Sequence, residues 1–178
     1  GRRPAPRAFV AGADVKHMST IPQEGDEVSH RYIAKGQTLM TDIEALPVPV
    51  IAAVDGLAFG GGFELALACD VILASDRSSF GLPEAKLGLM PGWGGTQRLP
   101  LLIGPHNARR LILTGDAIDA AEAYRLGIVQ QVVEPEALLV EAKAMAARMA
   151  ACAPLALREC KKSINEGLGR PLAEGLCL

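Results

Sequence analysis

The sequence predicts an α/β fold built on a parallel sheet, and three observations carry this prediction. Residues 48–54 are apolar on both faces and rich in β-branched side chains, apart from Pro49, which is typical of a buried parallel strand. A second apolar run at 71–74 follows after a short helical stretch, so the segment forms a βαβ unit with an expected right-handed crossover. The chain is 49% hydrophobic but only 4% aromatic, so its core consists of Ala, Val, Leu and Ile, as in layered α/β or helical proteins.

The other elements of the first half are predicted from periodicity and breaking residues. Apolar positions that lie mostly on one face predict a helix over 32–46, which Pro47 ends. A polar stretch with Pro and Gly at 19–27 predicts a mobile loop. The remaining predictions are a strand at 8–11 that breaks at Gly12, a turn at 55–56, a helix at 62–68 and a strand at 79–81.

In the second half, capping signals mark one helix clearly. Asp119 is a good N-cap, Glu122 follows three residues later as its capping-box partner, and Gly127 is the C-terminal stop. Residues 88–98 are rich in glycine and include Pro91, and neither a helix nor a strand is predicted there. The remaining predictions are a helix at 107–113 ended by Gly115, a strand at 128–133, and helices at 135–152 and 154–167 that each begin at a proline.

Composition excludes several classes of function. The 178 residues suggest one domain, and the net charge of −2 lacks the basic excess of nucleic-acid-binding proteins. The short basic stretch 1–7 is interpreted as a solvated loop or frayed end, and no apolar run approaches the ~20 residues of a membrane span. The four cysteines, at 69, 152, 160 and 177, have no C-x-x-C spacing and no neighbouring histidine, which argues against a metal site and favours a reducing compartment.

The run Gly60-Gly61-Gly62 is the first candidate for chemistry. Three glycines allow positive φ and close backbone approach, and N–H groups at a helix start favour an anion. The site could hold a phosphate or an oxyanion that develops during a reaction, although the G-x-G-x-x-G order of nucleotide sites is absent. Close packing of a helix on a strand is an equally weighted explanation of the glycines alone.

Two glutamates add acid–base chemistry to this backbone feature. Glu64 lies in the first helical turn among apolar neighbours, and a buried glutamate needs a partner or a function. Glu84 lies in a Leu-Pro-Glu-Ala loop after an apolar strand. Two carboxylates whose environments separate their pKa values can divide the roles of acid and base.

Four ordered motifs resemble the crotonase family, specifically the enoyl-CoA hydratases. They are Ala-Gly-Ala-Asp at 11–14, Phe-Gly-Gly-Gly-Phe-Glu at 59–64, Phe-Gly-Leu-Pro-Glu at 80–84 and Pro-Gly-Trp-Gly-Gly-Thr-Gln-Arg-Leu at 91–99. The resemblance runs from about residue 7 to about residue 174. It implies a crotonase-like spiral of ββα units over 1–133 and a C-terminal helical region over 134–178. Both are expected to be partial, because family members extend beyond this chain at both ends.

The resemblance also implies the site. The N–H groups of Ala13 and Gly61 would form an oxyanion hole for a thioester carbonyl, and Glu64 and Glu84 would hold a water molecule between them. The substrate would further contact Asp14, Val15, Lys16, Gly60 and Gly92. No metal and no cofactor are implied, since CoA is part of the substrate.

The activity implied is hydration of trans-2-enoyl-CoA in fatty-acid metabolism, because both glutamates are present and isomerases of the family often keep only one. The alternatives are a Δ3,Δ2-enoyl-CoA isomerase and a non-catalytic acyl-CoA-binding or assembly module. The expected partner is an acyl-CoA thioester, and neither a nucleic acid nor a membrane is expected to bind. The expected assembly is a homotrimer or a dimer of trimers. The expected location is the bacterial cytoplasm or the mitochondrial matrix. Trp93 would either narrow the acyl pocket or pack on a helix, and packing is favoured.

Overall fold

The structure is a computed structural model that describes residues 8–10, 12 and 26–177. The strands of this part form two sheets, with the order β1-β3-β5-β6 in one and β2-β4-β7 in the other. The strand bounds are β1 Ala8–Val10, β2 Ile51–Val54, β3 Leu57–Phe59, β4 Val71–Ser75, β5 Ser79–Gly81, β6 Ile118–Asp119 and β7 Gln131–Val133. All pairs are parallel except β5 with β6. The parallel α/β arrangement expected from the sequence is therefore confirmed.

The helices pack around these sheets. Their bounds are α1 Asp26–Glu44, α2 Gly61–Leu67, α3 Gly95–Ile103, α4 Pro105–Thr114, α5 Ala120–Arg125, α6 Leu138–Ala150, α7 Pro154–Gly167 and α8 Leu172–Gly175, with a 3-10 helix at Pro83–Leu87. None of the described helices is long and apolar enough to cross a membrane.

The turn at Asp55 and Gly56 carries the chain from one sheet to the other. β2 pairs with β4 as the βαβ prediction required, but the chain first forms β3 in the other sheet before it enters α2. The segment 71–81 repeats the step, since β4 and β5 also lie in different sheets. The strand pairs β2–β3 and β4–β5 thus each contribute one strand to each sheet. The sequence pattern did not predict β3.

A buried hydrogen-bond network joins the two equivalent turns between the sheets. Ser78 donates to the Val54 carbonyl at 2.8 Å and accepts from the Gly56 N–H at 3.2 Å. The Ser75 hydroxyl donates to Asp55 at 2.8 Å, and Asp55 also accepts from the Arg77 guanidinium. These bonds tie the strand ends at the two turns to each other and supply partners for the Val54 carbonyl and the Gly56 N–H.

One apolar cluster fills the space between the sheets and helices α2 to α5. Phe63 of α2 and Phe80 of β5 lie at its centre with ring centroids 5.5 Å apart. Small residues from β2, β3 and β4 surround them, which agrees with the expected Ala- and Val-rich core. Cys69 packs against this cluster, and burial raises the pKa of its thiol to about 11.

Several element bounds differ from those expected. α1 begins at Asp26, inside the expected loop, because Asp26 and Glu27 provide the negative charge that a first helical turn favours. Residues 19–25 of that loop lie outside the described part. β2 begins only at Ile51, after Pro49, and β7 only at Gln131, because the Ile128 N–H caps α5 by binding the Ala123 carbonyl.

Other helix predictions are confirmed or need small corrections. The Asp119 cap is confirmed, since its carboxylate accepts from the Glu122 N–H at 2.8 Å. α6 starts at Leu138 rather than at Pro135, while α7 has the expected bounds. α3 was not predicted at all: it begins directly after Gly94, whose φ is 115°, and it contains Pro100.

Candidate active site

The triple glycine forms the junction between β3 and α2. Gly60 has φ 53° and ψ −128°, and its carbonyl accepts from the N–H groups of Phe63 and Glu64 at 2.8 and 2.9 Å. Gly61 begins the helix, where the first backbone N–H groups have no intrahelical acceptor. The Gly61 N–H is therefore placed at the positive end of α2, as an anion site requires.

Each glycine of the junction is needed for a different steric reason. A Cβ at Gly60 would lie 2.9 Å from Oε1 of Glu84 and would also be strained at this φ. A Cβ at Gly61 would overlap the Trp93 ring, and one at Gly62 would overlap the backbone of Val10 in β1. Helix–strand packing thus explains Gly62, whereas Gly60 and Gly61 border the candidate site.

Glu64 points from α2 towards the loop before α3. Its side chain is buried, and Oε1 accepts from the N–H groups of Trp93 at 2.8 Å and Gly95 at 2.9 Å. Burial raises the pKa of this carboxyl, while the two backbone donors and the positive charge of Arg98 oppose the increase. The environment therefore holds the carboxylate firmly but keeps its pKa above the ordinary value.

Glu84 lies at the start of the 3-10 helix Pro83–Leu87. Only 9% of the residue is exposed, and its Oε2 atom is buried without a hydrogen-bond partner among the described residues. Burial raises the pKa of Glu84, and the negative charge of Glu64 raises it further. A buried carboxyl oxygen with no partner among the described residues is costly in a folded protein, which makes Glu84 a candidate functional acid.

The two glutamates face one cavity of about 350 Å³. Gly12, Gly60 and Gly61 form part of the same wall. Apart from the acids and Gln37, the rest of the lining is largely apolar and comes from α1, the 3-10 helix and the loop after it: Tyr32, Ile33, Pro83, Leu87, Leu89, Met90, Gly92 and Trp93. A larger cavity of about 600 Å³ lies between β2 and α6, but no acidic residue lines it.

The site residues expected from the sequence are only partly described. Glu64, Glu84, Gly60, Gly61 and Gly92 meet around the same cavity. Ala13, Asp14, Val15 and Lys16 lie outside the described residues, although Gly12 directly before them lines the cavity.

Residues from α1 were missed as parts of the site. The structure places Tyr32, Ile33 and Gln37 on the cavity wall, and Gln37 donates to the Gly92 carbonyl at 2.8 Å. Their side chains give no local signal, because only the packing of α1 on the 92–95 loop brings them there. The sole hint in the sequence is Gly36, a glycine inside a helix.

Trp93 combines both roles that the sequence left open. Its indole packs on α1, where a Cβ at Gly36 would overlap it, and its ring centroid lies 5.7 Å from that of Tyr32. Trp93 also lines the cavity beside Gly61, and its backbone N–H donates to Glu64. Packing on a helix is therefore correct, and the contribution to the site comes in addition.

Comparison with known proteins gives a consistent result. Residues 3–178 match the family model "Enoyl-CoA hydratase/isomerase". The chain is 47% identical over 162 residues to a crotonyl-CoA hydratase of Syntrophomonas wolfei. The aligned region covers 91% of this chain and 61% of the relative. It is 45% identical over 165 residues to a short-chain-enoyl-CoA hydratase of Clostridium acetobutylicum, with 91% and 61% covered.

Solved structures agree with these sequence matches. The crystal structure of an enoyl-CoA hydratase from Bacillus anthracis superposes with a TM-score of 0.91 at 42% identity, covering 97% of this chain and 66% of that one. The chain thus spans less than two thirds of the length of the first curated relatives it matches. The α/β fold with two linked sheets is that of these neighbours, and the chain belongs to the enoyl-CoA hydratase/isomerase family.

Proposed function

We propose that the complete gene product is an enoyl-CoA hydratase, which adds water across the 2,3 double bond of a trans-2-enoyl-CoA to give a 3-hydroxyacyl-CoA. The observation that carries the proposal is the pair of buried glutamates, both with a raised pKa, that face one cavity beside the N-terminus of α2. The hydratases named among the similar proteins support the same reaction.

In this mechanism the backbone stabilises the charge on the thioester oxygen. The Gly61 N–H, together with the Ala13 N–H, would donate to the carbonyl oxygen and draw electron density from the β-carbon. The enolate that forms when water adds would be held by the same two donors. Loss of one such donor typically reduces the rate about 10²–10³-fold.

The two glutamates would supply and remove protons. Glu64, anchored through Oε1, would accept a proton from the water whose oxygen bonds to the β-carbon. Glu84, whose pKa is raised and whose Oε2 has no described partner, would deliver a proton to the α-carbon. One proton leaves the water and one enters the product at the α-carbon, so the addition is redox-neutral. Transfer of a proton from Glu64 back to Glu84 would restore both acids for the next turnover.

The remaining expectations concern partners and location. The substrate class is an acyl-CoA thioester, bound with Gly60, Gly92 and residues 13–16 around the reacting carbonyl. A homotrimer or dimer of trimers is proposed from the family resemblance. Bacterial relatives and a Dictyostelium discoideum protein named as mitochondrial support the bacterial cytoplasm or the mitochondrial matrix as the location.

A panel of enoyl-CoA esters tests the proposal on the complete gene product. Hydration of crotonyl-CoA at a kcat typical of enzymes, about 1–10³ s⁻¹, is expected. A 3-enoyl-CoA that is isomerised much faster than any 2-enoyl-CoA is hydrated would replace the hydratase with an isomerase. Acyl-CoA binding without either product would indicate a non-catalytic module.

Trp93 is expected to limit the length of the acyl chain. Its indole closes the apolar side of the cavity between α1 and Gly61, so Trp93→Ala should open space next to the reacting carbons. We expect the ratio of kcat/KM for a longer enoyl-CoA to that for crotonyl-CoA to rise at least about tenfold, since each methylene in an apolar pocket changes the rate about 10–200-fold.

The ratio of two substrates on one variant separates this effect from a general loss of activity. Leu101→Ala is a matched control, because Leu101 lies on α3, is 64% exposed and does not line the cavity. An unchanged ratio in Trp93→Ala would show that the indole only packs on α1.

A further inference from the structure

Arg98 of α3 makes a two-point ion pair with the last residue of α1. Its Nε and Nη2 atoms each lie 2.7 Å from one carboxylate oxygen of Glu44. The Arg98 side chain is 17% exposed, less than any other arginine in the ion pairs described, while its partner Glu44 is 38% exposed. Such fork-to-carboxylate geometry fixes the plane of the guanidinium.

The third nitrogen of the guanidinium binds the loop that holds Glu64. Nη1 of Arg98 donates to the Trp93 carbonyl at 3.0 Å, and the backbone N–H of Trp93 donates to Glu64. Gly94 lies between the two Glu64 donors at φ 115°, and a Cβ there would overlap the guanidinium. Glu44, Arg98, Trp93 and Glu64 therefore form one continuous chain of hydrogen bonds from α1 to the cavity.

Arg98 is also the positively charged residue that acts on the pKa of Glu64 among the described residues. The elements packed mainly against α2 are β1, β3 and α3, and the first two contain no ionisable side chain. Among the described residues, Arg98 of α3 is the charged group that acts on Glu64, and Glu44 acts on Arg98. The charge of Glu64 in turn raises the pKa of Glu84. Arg98 lowers the pKa of Glu64 against the effect of burial.

We propose that Arg98 is a positioning residue for the hydration reaction: oriented by Glu44, it fixes the 93–95 loop that anchors the Glu64 carboxylate. The inference rests on the proposed function. It assigns to the α1–α3 ion pair a part in catalysis, although neither residue lines the cavity.

The test compares Arg98→Gln, Arg98→Lys and the wild type in the complete gene product with crotonyl-CoA. Arg98→Gln should lower kcat about 10–100-fold with little change in KM, because small displacements of a catalytic group cost up to ~10² in rate. Its acid limb in the pH profile of kcat/KM should move to higher pH, since Glu64 then loses its cation. Arg98→Lys should return the acid limb towards the wild-type position while kcat stays reduced.

An arginine of another ion pair provides the control. Arg110→Gln removes an exposed arginine that pairs with Glu122, and neither of these residues lines the cavity, so it should leave kcat and the acid limb unchanged. A folded Arg98→Gln with an unmoved acid limb would overturn the inference. If that variant does not fold, Glu44→Gln replaces it, and an unchanged kcat there would overturn it equally. A wild type that hydrates no enoyl-CoA would instead overturn the proposed function itself.

Discussion

Glu84→Gln is expected to lower kcat for crotonyl-CoA hydration by about 10²–10⁴ while the protein remains folded. Glutamine keeps the size of the side chain but cannot transfer a proton to the α-carbon, and general acid–base catalysis contributes about this factor. The substitution leaves Glu64 and both of its backbone donors in place. KM should change little, because the wall of the cavity keeps its shape.

The same variant should be more stable than the wild type at neutral pH. The folded-state pKa of Glu84 is raised above its ordinary value of 4.5, so between 4.5 and the raised value the native state binds more protons than the unfolded state. Stability contributed by this group is therefore greatest at low pH and falls as the pH rises through that window. Glutamine removes this loss, since it carries no charge to bury.

Steady-state kinetics and denaturant unfolding at several pH values check both effects. Glu134→Gln, which changes an exposed glutamate outside the cavity, is the matched control and should alter neither quantity. Undiminished hydration by Glu84→Gln would remove Glu84 from the mechanism. A lower stability at neutral pH would mean that its buried oxygen has a partner in the native protein.

The acids were predictable from the sequence, whereas their partners were not. Glu64 stands among apolar helix residues and Glu84 follows an apolar strand, so burial of both could be inferred from neighbours alone. The donors to Glu64 come from residues 93 and 95, about thirty positions later, and depend on the path of a glycine-rich loop. Nothing local to Glu64 encodes that path.

The missed elements have a common physical cause. β3 is only three residues long and lies between two glycine turns, which is too short for a periodic pattern. α3 begins after Gly94 and contains Pro100, both of which disfavour a helix on intrinsic propensity. Tertiary contacts decide its formation, since Leu99 and Ile103 are buried in the main core.

Gly62→Ala is expected to be the most destabilising small substitution at the β3–α2 junction. An added Cβ would overlap the carbonyl group and the Cβ of Val10, and the β1 backbone cannot move aside as the end of a flexible side chain can. Overpacking costs about 1–3 kcal/mol, and a backbone obstacle favours the upper end. Alanine regains only ~0.5–1 kcal/mol of helix propensity over glycine, so a net loss of roughly 2 kcal/mol is expected.

The effect should also reach the reaction, because β1 leads directly to Gly12 on the cavity wall and to the proposed donor Ala13. A displaced β1 would move Gly12 relative to Gly61 on the cavity wall, so kcat should fall together with stability. Denaturant unfolding and crotonyl-CoA hydration by the complete gene product measure the two. Gly175→Ala is the matched control: it is also a helical glycine, its Cβ would meet nothing closer than 3.8 Å, and it should be neutral or slightly stabilising. Equal stabilities of the two variants would show that β1 yields freely and that the Gly62 contact does not hold the junction.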